Sequence, residues 1–350
     1  MENVSKFIDH LVSNLIIDFH TAQTDNYDAS RFSADGVDRS GEFDIVLSKM
    51  TIVDLIRNAE KYFAAYQQIV DPTSRQLFID LLRYRMAGHM HVRLPTNTPD
   101  FFQHILPPPG TVRTESRLPI AGSFGEMGHF SVPVGDRAVE LDCWDGNVGY
   151  AFNLRQYFYD RDGVRICPEP GDHVIDAGSC LGECSIAFAA AVGETGHVHA
   201  FDVCDVHVLA TRHNAAQNPG LPVTVHEYGL GKADIDAPLL QLGNFIHPGM
   251  SVTDMPTPPI RRLDTLVEQG LVERVDFIKM DVEGSEIDAL AGAVESIRRF
   301  RPKLAISLYH KKSDFRDIPL FIQSILPDYR FHLDHYTIHH EETVLFGVAR

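Results

Sequence analysis

The sequence is short of positive charge. Its 31 Lys and Arg stand against 48 Asp and Glu, a formal net charge of −17 with His neutral. Such a surface repels phosphate backbones, which argues against DNA or duplex RNA as a partner. Cysteine is also sparse: the five residues at 143, 167, 180, 184 and 204 form no C-x-x-C pair and no zinc spacing, so they read as small buried side chains. No apolar run is long enough to span a bilayer. The first twenty residues carry Glu2, Asp9 and Asp18 and lack a cationic segment followed by an apolar core. These absences lead us to expect a cytoplasmic protein with neither a nucleic-acid nor a membrane partner. There are no internal repeats.

What is present is ordinary globular composition, 44% hydrophobic and 23% charged, over 350 residues. That length predicts a core domain with an added one. Residues 1–90 are mostly of helical period: Phe7, Ile8, Leu11, Leu15 and Ile16, then Ile52, Leu55, Ile56, Tyr62 and Phe63, then Leu77, Phe78, Leu81, Leu82 and Tyr84. Residues 21–45 are polar and read as a loop. Residues 95–123 are rich in Pro, Gly, Thr and Ser and read as a linker or extended wrap. Alternation across 128–152 predicts a hairpin.

From 171 onward strands alternate with helices. Strands are expected at 173–177, 197–202, 222–228, 275–281 and 303–309, with two more at 329–337 and 342–349. Helices are expected near 183–192, 205–217, 263–269, 285–299 and 314–326. Residues 237–260 read as an irregular excursion over the ligand face. The order predicts an α/β fold, a parallel sheet with helices on both faces and an antiparallel hairpin at the end. The division expected is a helical region with a Pro-rich linker (1–125), a β-rich lead-in (126–170) and an α/β domain (171–350).

The most informative segment is His173-Val-Ile-Asp-Ala-Gly-Ser-Cys-Leu-Gly-Glu-Cys184. A buried strand ends at Asp176, and Gly178 and Gly182 bracket a tight turn into a helix. Glycine lets backbone approach a ligand closely because it has no Cβ. The spacing D-x-G-x-x-x-G differs from the G-x-G-x-x-G of dinucleotide enzymes and suits S-adenosyl-L-methionine better than NAD. Asp202 ends the next strand, where a carboxylate accepts ribose hydroxyls. Ser179, in the turn, is counted with the cofactor site. Glu183, at the helix N-terminus, either receives the cofactor's amino group or complements the helix dipole.

Several segments resemble the FkbM-type family of S-adenosylmethionine-dependent O-methyltransferases, over roughly residues 150–350. They are Arg155-Gln-Tyr157, Val174-Ile-Asp-Ala-Gly178, Val275-Asp-Phe-Ile-Lys-Met-Asp-Val-Glu-Gly-Ser-Glu286 and Arg301-Pro-Lys-Leu-Ala-Ile-Ser-Leu-Tyr-His310. Arg83-Tyr-Arg-Met-Ala-Gly-His89 looks like the helical preamble of some members. Relatives often carry Glu at the position of Asp202. The resemblance implies a Rossmann-like class I methyltransferase sheet. It also implies methyl transfer to a hydroxyl, on a sugar, a glycan or a polyketide-like secondary metabolite. The Asp/Asn-Pro-Pro-Tyr tetrad of many amino methyltransferases acting on bases is missing.

An alcohol needs a base, or a metal, to become a good nucleophile. Ligands in such sheets sit at the carboxyl ends of the strands, which puts Asp176, Asp202, Asp281 and His310 on one rim. His310 is the expected general base, with Asp281 orienting it or contacting acceptor or cofactor. The alternative is a divalent ion held by Asp281, Glu283 and His310; a metal is not the expectation. Glu283 otherwise caps the following helix, and Glu286 reads as a solvated helix residue. Gln156 and Tyr157 are expected over the methionine end of the cofactor, and Tyr228 and Leu230 at the adenine ring. None of the pairs His89/His91, His197/His199 and His339/His340 is assigned to metal. The helices before the core are expected to form a homodimer contact that buries their apolar stripes, with a lid as the alternative. Two other readings remain: a nicotinamide-dependent oxidoreductase, which the missing third glycine opposes, and a catalytically silent interaction domain.

Overall fold

The computed structural model describes residues 1–28, 45–118, 127–236 and 258–350. They fall into two compact units, one of residues 1–101 with 307–346 and Arg350, the other of 102–306 with 347–349. The first unit therefore joins the N-terminal helices to a late stretch of chain, and the expected boundary at 125 does not coincide with the division between units. The expected loop at 21–45 and excursion at 237–260 lie largely outside the described residues.

The main sheet has seven strands: β1 His173–Ala177, β2 His197–Phe201, β3 Val223–His226, β4 Phe277–Met280, β5 Lys303–Ser307, β6 Tyr329–His335 and β7 Thr343–Ala349. Their hydrogen-bonded order is β6-β7-β5-β4-β1-β2-β3. The pairs from β5 through β3 are all parallel. Val174, Ile175 and Ala177 of β1, and Phe277, Ile278 and Met280 of β4, are completely buried, as strands covered on both faces must be. The strand order reverses at β1. The crevice outside the carboxyl ends of β1 and β4 is therefore the place a ligand enters such a sheet. This is the Rossmann-like class I methyltransferase arrangement that the sequence predicts.

Two expected elements differ from the expectation, one of them broken at a glycine. The strand expected at 222–228 runs from Val223 to His226, and beyond it Gly229–Leu230 pairs with Ile260–Arg261. The helix expected over 285–299 is two helices, Glu286–Ala291 and Val294–Phe300. A Cβ on Gly292 would lie 1.9 Å from the Gly231 carbonyl oxygen, so the break lets the two segments touch. The second helix is then capped from outside. The Asp264 carboxylate accepts the Ser296 N–H at 2.8 Å and the Glu295 N–H at 3.1 Å, two groups a helix start leaves without partners.

Within the same unit, Met127–Val134 pairs antiparallel with Arg137–Trp144, and Val112–Glu115 joins their edge. Phe130, Val132 and Leu141 of this small sheet pack on Leu181, Ile186 and Ala210. A π-helical turn follows at Gly149–Leu154 and ends on Arg155 in the left-handed region (φ 53°), which delivers Gln156 and Tyr157.

In the first unit, helices Val4–Phe19, Ile45–Arg57, Ala59–Gln68 and Pro72–Ala87 accompany helix Asp314–Ile325 and strand β6. Pro72–Ala87 starts cleanly: Asp71 accepts the Ser74 N–H at 2.7 Å and Pro72 occupies the first turn. Phe78 packs its ring 5.6 Å from that of Phe315, and Ser74 Oγ donates to the Leu333 carbonyl at 3.2 Å. Among the described residues no helix is long and apolar enough to cross a membrane.

Candidate active site

The turn after β1 is built by close approach. Gly178 has φ +80°, and a Cβ there would sit 1.8 Å from the Asp281 carbonyl oxygen. Only glycine brings the β1 turn against the end of β4 in this way. The N–H groups of Gly178 and Ser179 both donate to the Phe201 carbonyl, at 2.9 and 3.0 Å, tying the turn to β2 as well. Gly182 (φ +85°) packs against Thr211, whose hydroxyl also meets Ser179 Oγ at 3.2 Å. Ser179 is therefore a buried part of the turn's framework.

Asp176 is also framework. Its carboxylate is fully buried, ion-paired with Lys279 Nζ at 3.0 Å and accepting from Ser185 Oγ at 2.5 Å. It holds β1 to β4 and to the helix Glu183–Val192. Lys279, unassigned by sequence reasoning, also donates to the Gly178 carbonyl at 2.5 Å and lies 5.2 Å over the Tyr157 ring. Burial disfavours its ammonium, but Asp176 and Asp281 outweigh that and raise its pKa. The signal was there to read: a lysine inside a strand that is otherwise apolar on both faces must be paired.

Three expected residues are brought together in a chain. Gln156 Nε2 donates to the Tyr157 hydroxyl at 3.3 Å, and that hydroxyl donates to Asp281 Oδ2 at 2.8 Å. Glu183 is buried, with one carboxylate oxygen accepting from Asn147 Nδ2 at 2.7 Å and Oε2 left without a partner. Burial pushes its pKa above the usual carboxylate range.

At the end of β2, Asp202 accepts the N–H groups of Cys180 and Cys204 at 3.0 and 2.9 Å, and both its oxygens lie 3.3 Å from His207 Nδ1. Burial opposes its charge, but His207 and the two N–H groups outweigh that and hold its pKa below the ordinary value. The same carboxylate, against the desolvation of the ring, raises the pKa of His207. His207 was missed in the sequence, although it lies in the first turn of the helix that follows Asp202.

Tyr228 bonds its hydroxyl to His226 Nδ1 at 2.9 Å and sets its ring 5.7 Å from Phe201. Leu230 is buried in the short strand pair. His226 Nε2 in turn lies 3.1 Å from His199 Nδ1. Burial lowers the pKa of His199 to about 3 and of His226 to about 4, so the pair is neutral near pH 7.

Two readings of the run after β4 need correction. Glu286 is buried, not solvated: its Oε1 accepts the N–H groups of Val282 and Gly284 at 3.0 and 3.3 Å and closes the turn. Glu283 is exposed with φ +53°, and the helix it was expected to cap begins only at Glu286. His310 belongs to the other unit, half-buried three residues beyond β5, with its ring 4.1 Å from that of Tyr309.

Residues 176–333 match the family described as methyltransferase FkbM domain. This segment belongs to the FkbM methyltransferase family. Among solved structures, the chain is similar to an FkbM methyltransferase from Methylobacillus flagellatus KT, at 22% identity and TM-score 0.52. The match covers 84% of this chain but 60% of that one, so this chain spans less than two thirds of its relative's length. A putative rRNA methylase from Clostridium thermocellum matches at 15% identity over 58% of this chain and 94% of its own, TM-score 0.35. An O-methyltransferase from Bacillus cereus, in complex with SAH, matches at 14% over 51% and 74%, TM-score 0.34. At those scores neither of the last two adds to the fold assignment. No curated protein matches the chain.

Proposed function

We propose that the FkbM domain carries a methyl group from S-adenosyl-L-methionine to a hydroxyl of a sugar, glycan or polyketide-like metabolite. The observation that carries the donor assignment is Glu183 Oε2, buried and without a partner beside the glycine turn. A carboxylate oxygen in that position calls for a donor such as the amino group of the methionine end. Asp202, held ionised, is suited to ribose hydroxyls. The residues that would hold the donor are thus Glu183, Asp202, Gln156 and Tyr157, with Tyr228 and Leu230 toward the adenine.

When bound, the donor supplies a methyl carbon activated by positive sulfur. The protein then has to orient the acceptor oxygen and take its proton. Positioning of this kind is worth up to roughly 7–11 kcal/mol. Asp281 follows the carboxyl end of β4 and His310 follows the carboxyl end of β5. We assign His310 as the base that receives the hydroxyl proton on an imidazole nitrogen, and Asp281 to contact with the acceptor or the donor. We assign the exposed Ile45, Val46, Met50 and Ile56 of one N-terminal helix to a homodimer contact.

The test is a methylation screen of sugar-bearing metabolites with labelled donor, followed by His310→Ala. Turnover should disappear while donor affinity, measured by calorimetry, holds. Wild-type turnover in that variant removes His310 from the mechanism, and tighter binding of NAD than of S-adenosylmethionine ends the methyl-transfer reading.

A further inference from the structure

The run Arg83-Tyr-Arg-Met-Ala-Gly-His89 has so far no role, yet it forms the last turn of the helix Pro72–Ala87 and reaches two late segments of the chain. Arg85 is buried, with 4% of its surface exposed. Its Nη2 donates to the main-chain carbonyls of Tyr309 and His340, both at 3.2 Å. Its guanidinium carbon lies 4.7 Å over the Phe315 ring, and its Nε has no partner. Burial lowers its pKa to about 10, so it is still charged at neutral pH. The preceding residue acts on the same late segment, Tyr84 bonding its hydroxyl to His339 Nδ1 at 2.8 Å.

We propose that Arg85 is a positioning residue for His310, acting through the Tyr309 carbonyl. The proposal rests on the reading of His310 as the base. The backbone on either side of His310 is held from several elements, Lys312 included, whose carbonyl accepts from the Tyr62 hydroxyl at 3.1 Å. Leu308 N–H donates to the Thr343 carbonyl at 2.9 Å, the Tyr309 carbonyl accepts from Arg85, and Lys311 N–H donates to Asp314 Oδ2 at 2.6 Å. Arg85 and Tyr62 both come from the N-terminal helices, and of these two Arg85 holds the residue next to His310. It also joins the 309 segment to the 340 segment through a single nitrogen.

A packing role does not require this residue type. Burying a guanidinium among carbonyls and an aromatic ring costs desolvation that a methionine of similar length avoids. The planar Nη2 group gives in return two directed hydrogen bonds, one to each loop, which a flexible apolar chain does not supply. The helical preamble is therefore part of the catalytic apparatus at one remove: it sets the strand-end loop that carries the base.

The test uses the full chain labelled with ¹³C at histidine Cε1, with the His310 signal assigned by His310→Gln. In Arg85→Met the His310 signal is expected to move and broaden. The signals of His199 and His207 should hold, and S-adenosylmethionine affinity by calorimetry should stay at the wild-type value. Arg85→Lys, which keeps the charge and a donor, should bring the His310 signal part of the way back. An unmoved His310 signal in Arg85→Met overturns the proposal, as does a general shift that includes His199 and His207. If Arg85→Met does not fold, Arg85→Lys decides alone: a displaced His310 signal supports the proposal and an unchanged one overturns it. The two readings separate cleanly. Full turnover in His310→Ala, together with a moved signal in Arg85→Met, leaves the positioning intact and removes the base.

Discussion

The Tyr157 hydroxyl donates to Asp281 Oδ2 at 2.8 Å across 124 positions of chain. One residue comes from the left-handed exit of a π-helical turn, the other from the end of β4. Removing the phenol oxygen in Tyr157→Phe leaves a half-buried carboxylate short of one donor. A hydrogen bond to a charged group is worth about 1.5–3 kcal/mol, so donor affinity or turnover should fall by at least about tenfold. Calorimetry with S-adenosylmethionine checks this. Wild-type affinity and turnover together would show that this bond lies outside the working site.

The Lys279–Asp176 pair, 3.0 Å apart and both almost fully buried, should behave as an uncompensated charge once broken. Lys279→Met is expected to lose about 3–5 kcal/mol of stability, because Asp176 then stays buried without its counter-ion. The double variant Lys279→Met/Asp176→Leu should recover part of that loss. Urea unfolding of the three proteins measures it, and a double variant less stable than the single one contradicts the account.

The parallel strands were legible because residues such as Val174, Ile175, Phe277 and Ile278 form short apolar runs, and such runs survive as buried strands whatever surrounds them. The glycine turn was legible for a similar reason, since Gly178 must lack a Cβ. The roles of individual carboxylates were harder to read. Asp176 and Asp202 both end strands, but one is spent on a lysine and a serine and the other on two N–H groups and a histidine. What decides between them is which side chain from a distant element arrives opposite, and spacing along the chain does not encode that. The same holds for Glu286, whose partners are two backbone N–H groups of its own turn.

Asp202→Asn tests the ribose assignment. The amide keeps the shape but loses the negative charge and one acceptor, and charge-assisted bonds are roughly twice as strong as neutral ones. Donor affinity should drop by about tenfold or more. His207, freed from its carboxylate, should titrate at a lower pH in the variant, since Asp202 is what raises its pKa. An unchanged donor affinity places the ribose elsewhere.

Exhaustive chelation should leave methyl transfer at its untreated rate. Of the carboxylates after β4, Asp281 accepts from the Tyr157 phenol and Glu286 from two backbone N–H groups. Loss of turnover on chelation, restored by one divalent ion, would replace the base mechanism by a metal-assisted one.

Acid should weaken the fold through the histidines on β2 and β3. His199 has its pKa lowered from 6.5 to about 3, so the unfolded chain binds a proton in a pH range where the folded chain does not. The stability tied to this group is fully present above pH 6.5 and is lost progressively as pH falls toward 3. The slope approaches about 1.4 kcal/mol per pH unit for one such group. His226, 3.1 Å away and lowered to about 4, titrates with it as a pair. Thermal unfolding between pH 7 and 4.5 should therefore show a midpoint that falls with pH, and His199→Gln should flatten the fall by about one proton's share. A slope identical in the variant and the wild type would mean that the imidazole pair is not what couples this fold to pH.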